Sequence, residues 1–261
     1  MTELLALSLP RLEVLLLALA RVSGLFLFAP ILGSAMAPVR VRVALVFFVT
    51  IAMLPILPEQ GAPFGSGGLI AVFAGLAREL GIGFVIGLVA QFIFGGAQMA
   101  GQLAGMQMGI GIANLFDPQT QAQITALAQW QNLITLLTFL AIDGHHLLIR
   151  AVAESFSLLP IGGGLPADQG MGMILMLAGG IFVLALKLAA PVLVLLLLVH
   201  GAMAVLAKMI PQLNVFIVGF PLNIAAGLLV LVAAQPFTLH VLQGAFGEIA
   251  VSLDAAMRAL R

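Results

Sequence analysis

Charge is what this chain lacks most. Only 8% of its 261 residues are Asp, Glu, Lys or Arg, against about 25% in soluble domains, too few to build a water-facing surface. Cysteine is absent altogether, which excludes disulfides, thiolate metal sites and a cysteine nucleophile. Ten basic residues balance ten acidic ones without clustering, so the electrostatic footprint of a nucleic-acid-binding protein is missing. Strand-like alternation is absent too, which sets aside a transmembrane barrel. What is present is 62% hydrophobic residues and a mean hydropathy of +1.23. Together these imply an integral, all-α membrane protein.

Uncharged runs recur at Val43–Leu57, Leu80–Phe116, Pro118–Ile142, Leu188–Ala207 and Met209–Gly247. As one straight helix, Leu80–Phe116 would reach roughly 55 Å, against a bilayer core of about 30 Å. It is too long for one crossing and short for two with a turn. Its many glycines suit contact with other protein better than a plain anchor. The first apolar stretch, Val14–Leu32, is interrupted by Arg21 and followed by Ala35-Met36-Ala37, which imitates a signal-peptidase site. The stretch is longer than a usual signal core and no strongly basic segment precedes it, so a retained helix is expected.

Pro38-Val39-Arg40-Val41-Arg42 is expected to be a short loop, placed in the cytoplasm by its two arginines. The break from Pro58 to Gly68 carries Glu59 and no basic residue, so it faces the other side and puts the N-terminus outside. A second break, Pro160 to Gly172, has Asp168 as its charge and divides the chain into parts 1–165 and 166–261. The second part is a predicted hairpin, Ile174–Ala207 and Leu213–Ala234, turning at Lys208-Met209-Ile210-Pro211, with Lys208 favouring a cytoplasmic turn. Arg258 and Arg261 draw the tail to the cytoplasm, whereas counting crossings after Lys208 leaves it outside. The overlong runs resolve this if some apolar helices lie outside the bilayer under partner subunits.

Ala97, Gly101, Gly105, Gly109 and Ala113 are spaced by four and form one helical ridge, on which another backbone can approach closely. Gln91, Gln98 and Gln102 lie near a neighbouring face and Gln107 adds an amide; each must meet protein or water. Internal helix packing and an intersubunit face beside a wet passage both fit. Gly109-Ile110-Gly111-Ile112-Ala113-Asn114-Leu115-Phe116-Asp117-Pro118 is an expected helix interruption: the glycines relax the backbone, Asn114 tolerates a turn, and Pro118 pushes Asp117 out of the helical region. Non-helical backbone at membrane depth survives only when buried in protein or lining a cavity. Apolar groups there would close a pore by filling or dewetting it; an ordinary surface loop is the other reading. As a dinucleotide fingerprint the glycines fail, since no strand precedes them.

Arg78-Glu79 and Lys187 interrupt apolar sequence, either as functional intramembrane charges or as snorkelling and ion-paired ones. Asp143-Gly144-His145-His146 invites a metal reading, but Gly144 suggests a turn between apolar helices and no second acidic cluster supports a metal. His200 and His240 stand alone. No nucleophile–base constellation can be assembled, so neither enzyme activity nor a cofactor or metal is expected.

Taken in order, RVSGLFLFAPILG (21–33), PVRVRVAL (38–45), GQLAGMQMGIGIANLFDP (101–118), FLAIDGHHLLI (139–149), LLPIG (158–162) and PQLNVFIVGFPLNIAAGL (211–228) resemble the FliR family of flagellar type III secretion export-gate subunits, related to the SctT subunits of injectisomes. The set covers nearly the whole chain, and PQLNVFIVGFP leans flagellar. The resemblance implies a non-enzymatic subunit that joins FliP and FliQ in a helical assembly around an export pore for unfolded flagellar proteins, with FlhB and FlhA as further partners. That assembly lies at the bacterial inner membrane and stands largely above its plane, in contact with its lipid. Residues 1–165 would be FliP-like and 166–261 FliQ-like. The loop Gly109–Phe116 would plug the closed pore, with Ile112, Leu115 and Phe116 closing it, Gly109 and Gly111 bending it, and Asn114, Asp117 and Pro118 shaping it. Ala97, Gly101 and Gly105 would pack against other subunits, and Met106 and Met108 would supply flexible packing. Some members carry phenylalanines at the positions of Ile112 and Leu115.

Two other classes fit the composition. An independent secondary transporter predicts an internal repeat around a broken-helix site. A purely structural scaffold predicts that residues 109–118 tolerate substitution.

Overall fold

The protein, seen in a computed structural model, is described at residues 2–30, 38–57, 68–110, 125–161, 167–212, 214–249, 251–253 and 257. Its elements are α1 (Thr2–Phe28), α2 (Val39–Met53), a short 3₁₀ turn (Leu54–Ile56), α3 (Gly68–Gln107), α4 (Ala126–Ala141), α5 (Gly144–Leu158), α6 (Ala167–Met209), α7 (Val215–Ala233) and α8 (Gln235–Gly247). No strand occurs among the described residues, and the all-α membrane expectation holds. Among the described residues three helices are long and apolar enough to cross a membrane, or up to five spans if each bent helix pair counts as one.

Local chemistry sets several boundaries. The Thr125 side chain accepts from Ala128 N–H at 3.2 Å and caps α4; Asn214 does the same for α7 through Ile217 N–H at 3.3 Å. Each satisfies an N–H that the first turn leaves without a partner. Pro191 and Pro221 lie inside α6 and α7, tolerated where neighbouring groups re-satisfy the freed carbonyl.

Two expectations change. Pro38–Arg42 is not a loop: Pro38 is the N-cap of α2, and Val39 to Arg42 form its first turn. The four-residue ridge is shorter than expected, because α3 ends at Gln107 and Gly109 has left the helix with φ +84. Only Ala97, Gly101 and Gly105 share α3. In place of the predicted hairpin segments Ile174–Ala207 and Leu213–Ala234 stand α6, which runs on through Lys208 to Met209, and α7, which begins at Val215.

The chain forms two compact units. The first contains residues 1–92, 143–178 and 246–261; the second contains 93–142 and 179–245. In the first unit α1 and α3 cross at Gly24 and Gly83. A Cβ on Gly24 would collide with the Leu80 carbonyl, and one on Gly83 with the Arg21 carbonyl. Leu17, Val22, Leu25, Ile82, Ile86, Val152 and Phe156 are buried in this unit. The second unit has a core of Ala104, Met108, Leu127, Val192 and Leu196, with Ile110, Ala226, Val230 and Leu231 packed on it.

Candidate functional site

The end of α3 is where the sequence placed a break, and its surroundings in the second unit explain how the break is held. Gly101 gives α4 room to approach: a Cβ there would lie 2.5 Å from Ala128 Cα and 2.7 Å from the Leu127 carbonyl. One turn later, Gly105 faces the Thr125 side chain at 3.3 Å. The small face of α3 at these two positions therefore packs on α4 of the same chain, and Ala97 is fully buried. Gly227 on α7 accommodates Met108, whose methyl carbon would lie 2.5 Å from an added Cβ. Met106, by contrast, is 60% exposed, so the two methionines have separate environments.

Gln107, in the last turn of α3, is half-buried. Its amide lies 3.4 Å from His200 Nδ1 on α6, and the other ring nitrogen, Nε2, lies 2.9 Å from the Asn223 amide on α7. Three helices are thus joined by one imidazole at an otherwise apolar place. His200 does not stand alone, as the sequence suggested. The signal was available: His200 and Asn223 are nine and eight residues from the facing ends of α6 and α7, so an antiparallel pairing brings these two polar residues near one another. Immediately beyond this junction, Gly109 adopts a left-handed conformation that glycine accepts without penalty, and Ile110 returns to the core cluster. Gly111, Ile112, Ala113, Asn114, Leu115, Phe116, Asp117 and Pro118 lie outside the described residues.

The intramembrane-type charges of the first unit form a second polar centre. Arg21 and Glu79 are fully buried. Arg21 Nε donates to Glu79 Oε2 at 2.6 Å, Nη1 to Ser155 Oγ at 3.0 Å and Nη2 to the Leu159 carbonyl at 2.8 Å. The guanidinium also lies 4.2 Å from the centroid of the Phe156 ring, within cation–π range. Glu79 Oε1 accepts from Arg78 at 2.9 Å, and Arg78 reaches the Pro160 carbonyl at 3.2 Å. The ion-pair reading of Arg78-Glu79 is therefore the one realised, with Arg21 as the main partner. Ser155 and the Leu159 carbonyl were missed, since nothing in an amphipathic pattern tells a serine or a carbonyl which arginine it will meet.

The remaining polar candidates are peripheral. Lys187 is exposed on α6, as is His240 on α8. Gln91 is exposed, whereas Gln98 and Gln102 are half-buried. Asp143-Gly144 does make a turn, at the start of α5. Asp143 adopts φ +56, a left-handed conformation that Asp tolerates better than most residues.

These features define an all-α membrane protein in which several polar groups, Arg21, Glu79 and His200 among them, join helices. Residues 12–249 match the family described as Bacterial export proteins, family 1. The flagellar biosynthetic protein FliR of Escherichia coli K12 is 35% identical over 232 residues, covering 88% of this chain and 87% of the relative. FliR of Pectobacterium carotovorum is 34% identical over 235 residues, with 88% of each chain covered. FliR of Bacillus subtilis is 29% identical over 235 residues, covering 88% and 89%. The chain belongs to the FliR family of bacterial export proteins.

Proposed function

We propose that this chain is the export-gate subunit of a flagellar type III secretion apparatus. It joins FliP and FliQ at the bacterial inner membrane to form the pore that passes unfolded flagellar proteins, with FlhB and FlhA beside it. It acts as a conduit and not as an enzyme; energy enters elsewhere in the apparatus. Residues 1–165 take the FliP-like role and 166–261 the FliQ-like role.

The observation that carries this reading is the end of α3. A 40-residue helix far longer than a bilayer needs stops at a left-handed glycine, with its last turn tied to two other helices through His200. The ten residues that follow include Ile112, Leu115 and Phe116 and no basic side chain. A short apolar segment sprung from a fixed root suits a pore plug, since apolar constrictions stop ions by excluding water. In this role Gly109 and Gly111 set the bend, and Asn114, Asp117 and Pro118 return the chain toward α4.

The test is ion leakage through the assembled complex in planar bilayers. Replacing Gly109, Gly111 and Leu115 by serine should raise leakage several-fold while the complex stays intact by size. Unchanged leakage in an intact complex would remove the plug assignment and favour the scaffold reading.

A further inference from the structure

The geometry points to a divalent transition-metal site, of the kind zinc occupies, at the start of α5, formed by Asp143, His145 and His146. One ligand atom from each residue can be chosen so that all three lie within 4.8 Å of one another. Asp143 Oδ1 and His146 Nδ1 are 3.4 Å apart. That is long for a hydrogen bond between a carboxylate and an imidazole. It equals the edge of a tetrahedron drawn around a metal with bonds of 2.0–2.1 Å, which is about 3.4 Å.

Two further observations favour a ligand over a simple turn. Asp143 is the N-cap of α5, yet its side chain makes no capping hydrogen bond, although capping is the ordinary employment of an aspartate there. The carboxylate faces the His146 ring instead. His145, whose ring centroid lies 4.1 Å from that of His146, has its Nδ1 buried without a hydrogen-bond partner. A buried imidazole nitrogen without a partner is costly, and coordination is one way to satisfy it.

The ligand set selects the metal class. Two imidazoles and one carboxylate suit zinc, copper, nickel or cobalt, whereas magnesium and calcium prefer all-oxygen surroundings. Three protein ligands leave a fourth position open, and the side chains of Asp143 and His146 are 74% and 69% exposed. The open position faces outward, where water or a side chain of another molecule completes the shell. Bound there, the ion ties the residue before α5 to its first turn and stiffens the start of the helix. The sequence disfavoured a metal because it lacked a second acidic group. The left-handed turn supplies what spacing did not, by bringing an aspartate and two nearby histidines to one place.

The chain suits a direct test, because it has no cysteine and only four histidines. The full-length protein, purified in detergent with a histidine-free tag and stripped with chelator, is titrated with Co²⁺ and followed by visible d–d absorption, then challenged with Zn²⁺. The expected result is one saturable equivalent per chain, displaced by Zn²⁺. Asp143→Asn and His146→Gln should each weaken binding about tenfold or more, with His145→Gln similar and His200→Gln and His240→Gln unchanged. Absence of a saturable equivalent in the unaltered protein would overturn the site without any variant. So would equal binding by the Asp143→Asn, His145→Gln, His146→Gln triple variant.

Discussion

Arg21 shows how much one side chain can decide in so apolar a chain. It is fully buried and spends three nitrogens on three different partners, Glu79, Ser155 and the Leu159 carbonyl. Burying both charges costs several kcal/mol of lost hydration, which the pair offsets only because its hydrogen bonds are nearly complete. Removing one partner leaves the other buried and uncompensated. Arg21→Met should therefore lower stability by about 3–5 kcal/mol, read as a fall in the unfolding midpoint of the detergent-solubilised protein. Arg21→Met combined with Glu79→Leu should recover most of that loss, since a well-packed apolar pair is often no worse than an ion pair. If the double variant is as unstable as the single one, the pair contributes through geometry that apolar groups cannot reproduce. His200 follows the same logic with amide partners, bridging Gln107 and Asn223.

At the scale of elements, glycine is what allows these helices to meet, and its position matters more than its number. Gly83 admits the Arg21 carbonyl so closely that a Cβ has no room, while Gly81, two residues earlier on α3, has nothing within 4 Å. Gly83→Ala should separate α1 from α3, weaken the Arg21–Glu79 contact one turn away and lower the unfolding midpoint markedly. Gly81→Ala should leave it unchanged or slightly raised, since alanine favours a helix over glycine by about 1 kcal/mol. Equal effects at the two positions would mean that the crossing tolerates displacement.

This contrast also shows what was legible in the sequence. The long apolar elements, the two late helices, the break after Gln107 and the Asp143-Gly144 turn all follow from hydropathy, glycine and proline. The partners of the helices did not. A stripe of small residues announces a close neighbour without naming it, so Gly24 and Gly83, far apart in sequence, went unpaired. The ridge was drawn too long because spacing by four cannot reveal that Gly109 adopts φ +84. Pro38–Arg42 resembled a loop for a physical reason: Arg40 and Arg42 sit in the first turn of α2, where the helix dipole disfavours cations. Of the candidate site, its root was legible and its His200 junction was missed; the rest of the loop lies outside the described residues.

At the scale of the whole molecule, the length and exposure of the helices decide what must surround it. The apolar stretch Ala178–Met209 of α6 has 32 residues, and 28% of its apolar window is buried. It extends about 48 Å. A bilayer core of about 30 Å, even crossed at the 40° limit of usual tilts, covers about 39 Å of it. The remainder is apolar surface that lipid does not reach. The span Val39–Ile56 is barer still, with 11% of its apolar window buried, but at about 27 Å it is short enough for lipid alone to cover. Outside lipid an apolar overhang such as that of α6 is rarely left open, so the export-gate reading expects other protein to cover it. Co-expression with FliP and FliQ, mild extraction and native mass spectrometry should then give one mixed complex that retains this chain. The same chain expressed alone should extract poorly and self-associate, because detergent has to cover what subunits otherwise would. A monodisperse particle of this chain alone, ignoring both partners, would mean that its own helices can hide that surface. The export-gate reading would then give way to an independent transporter.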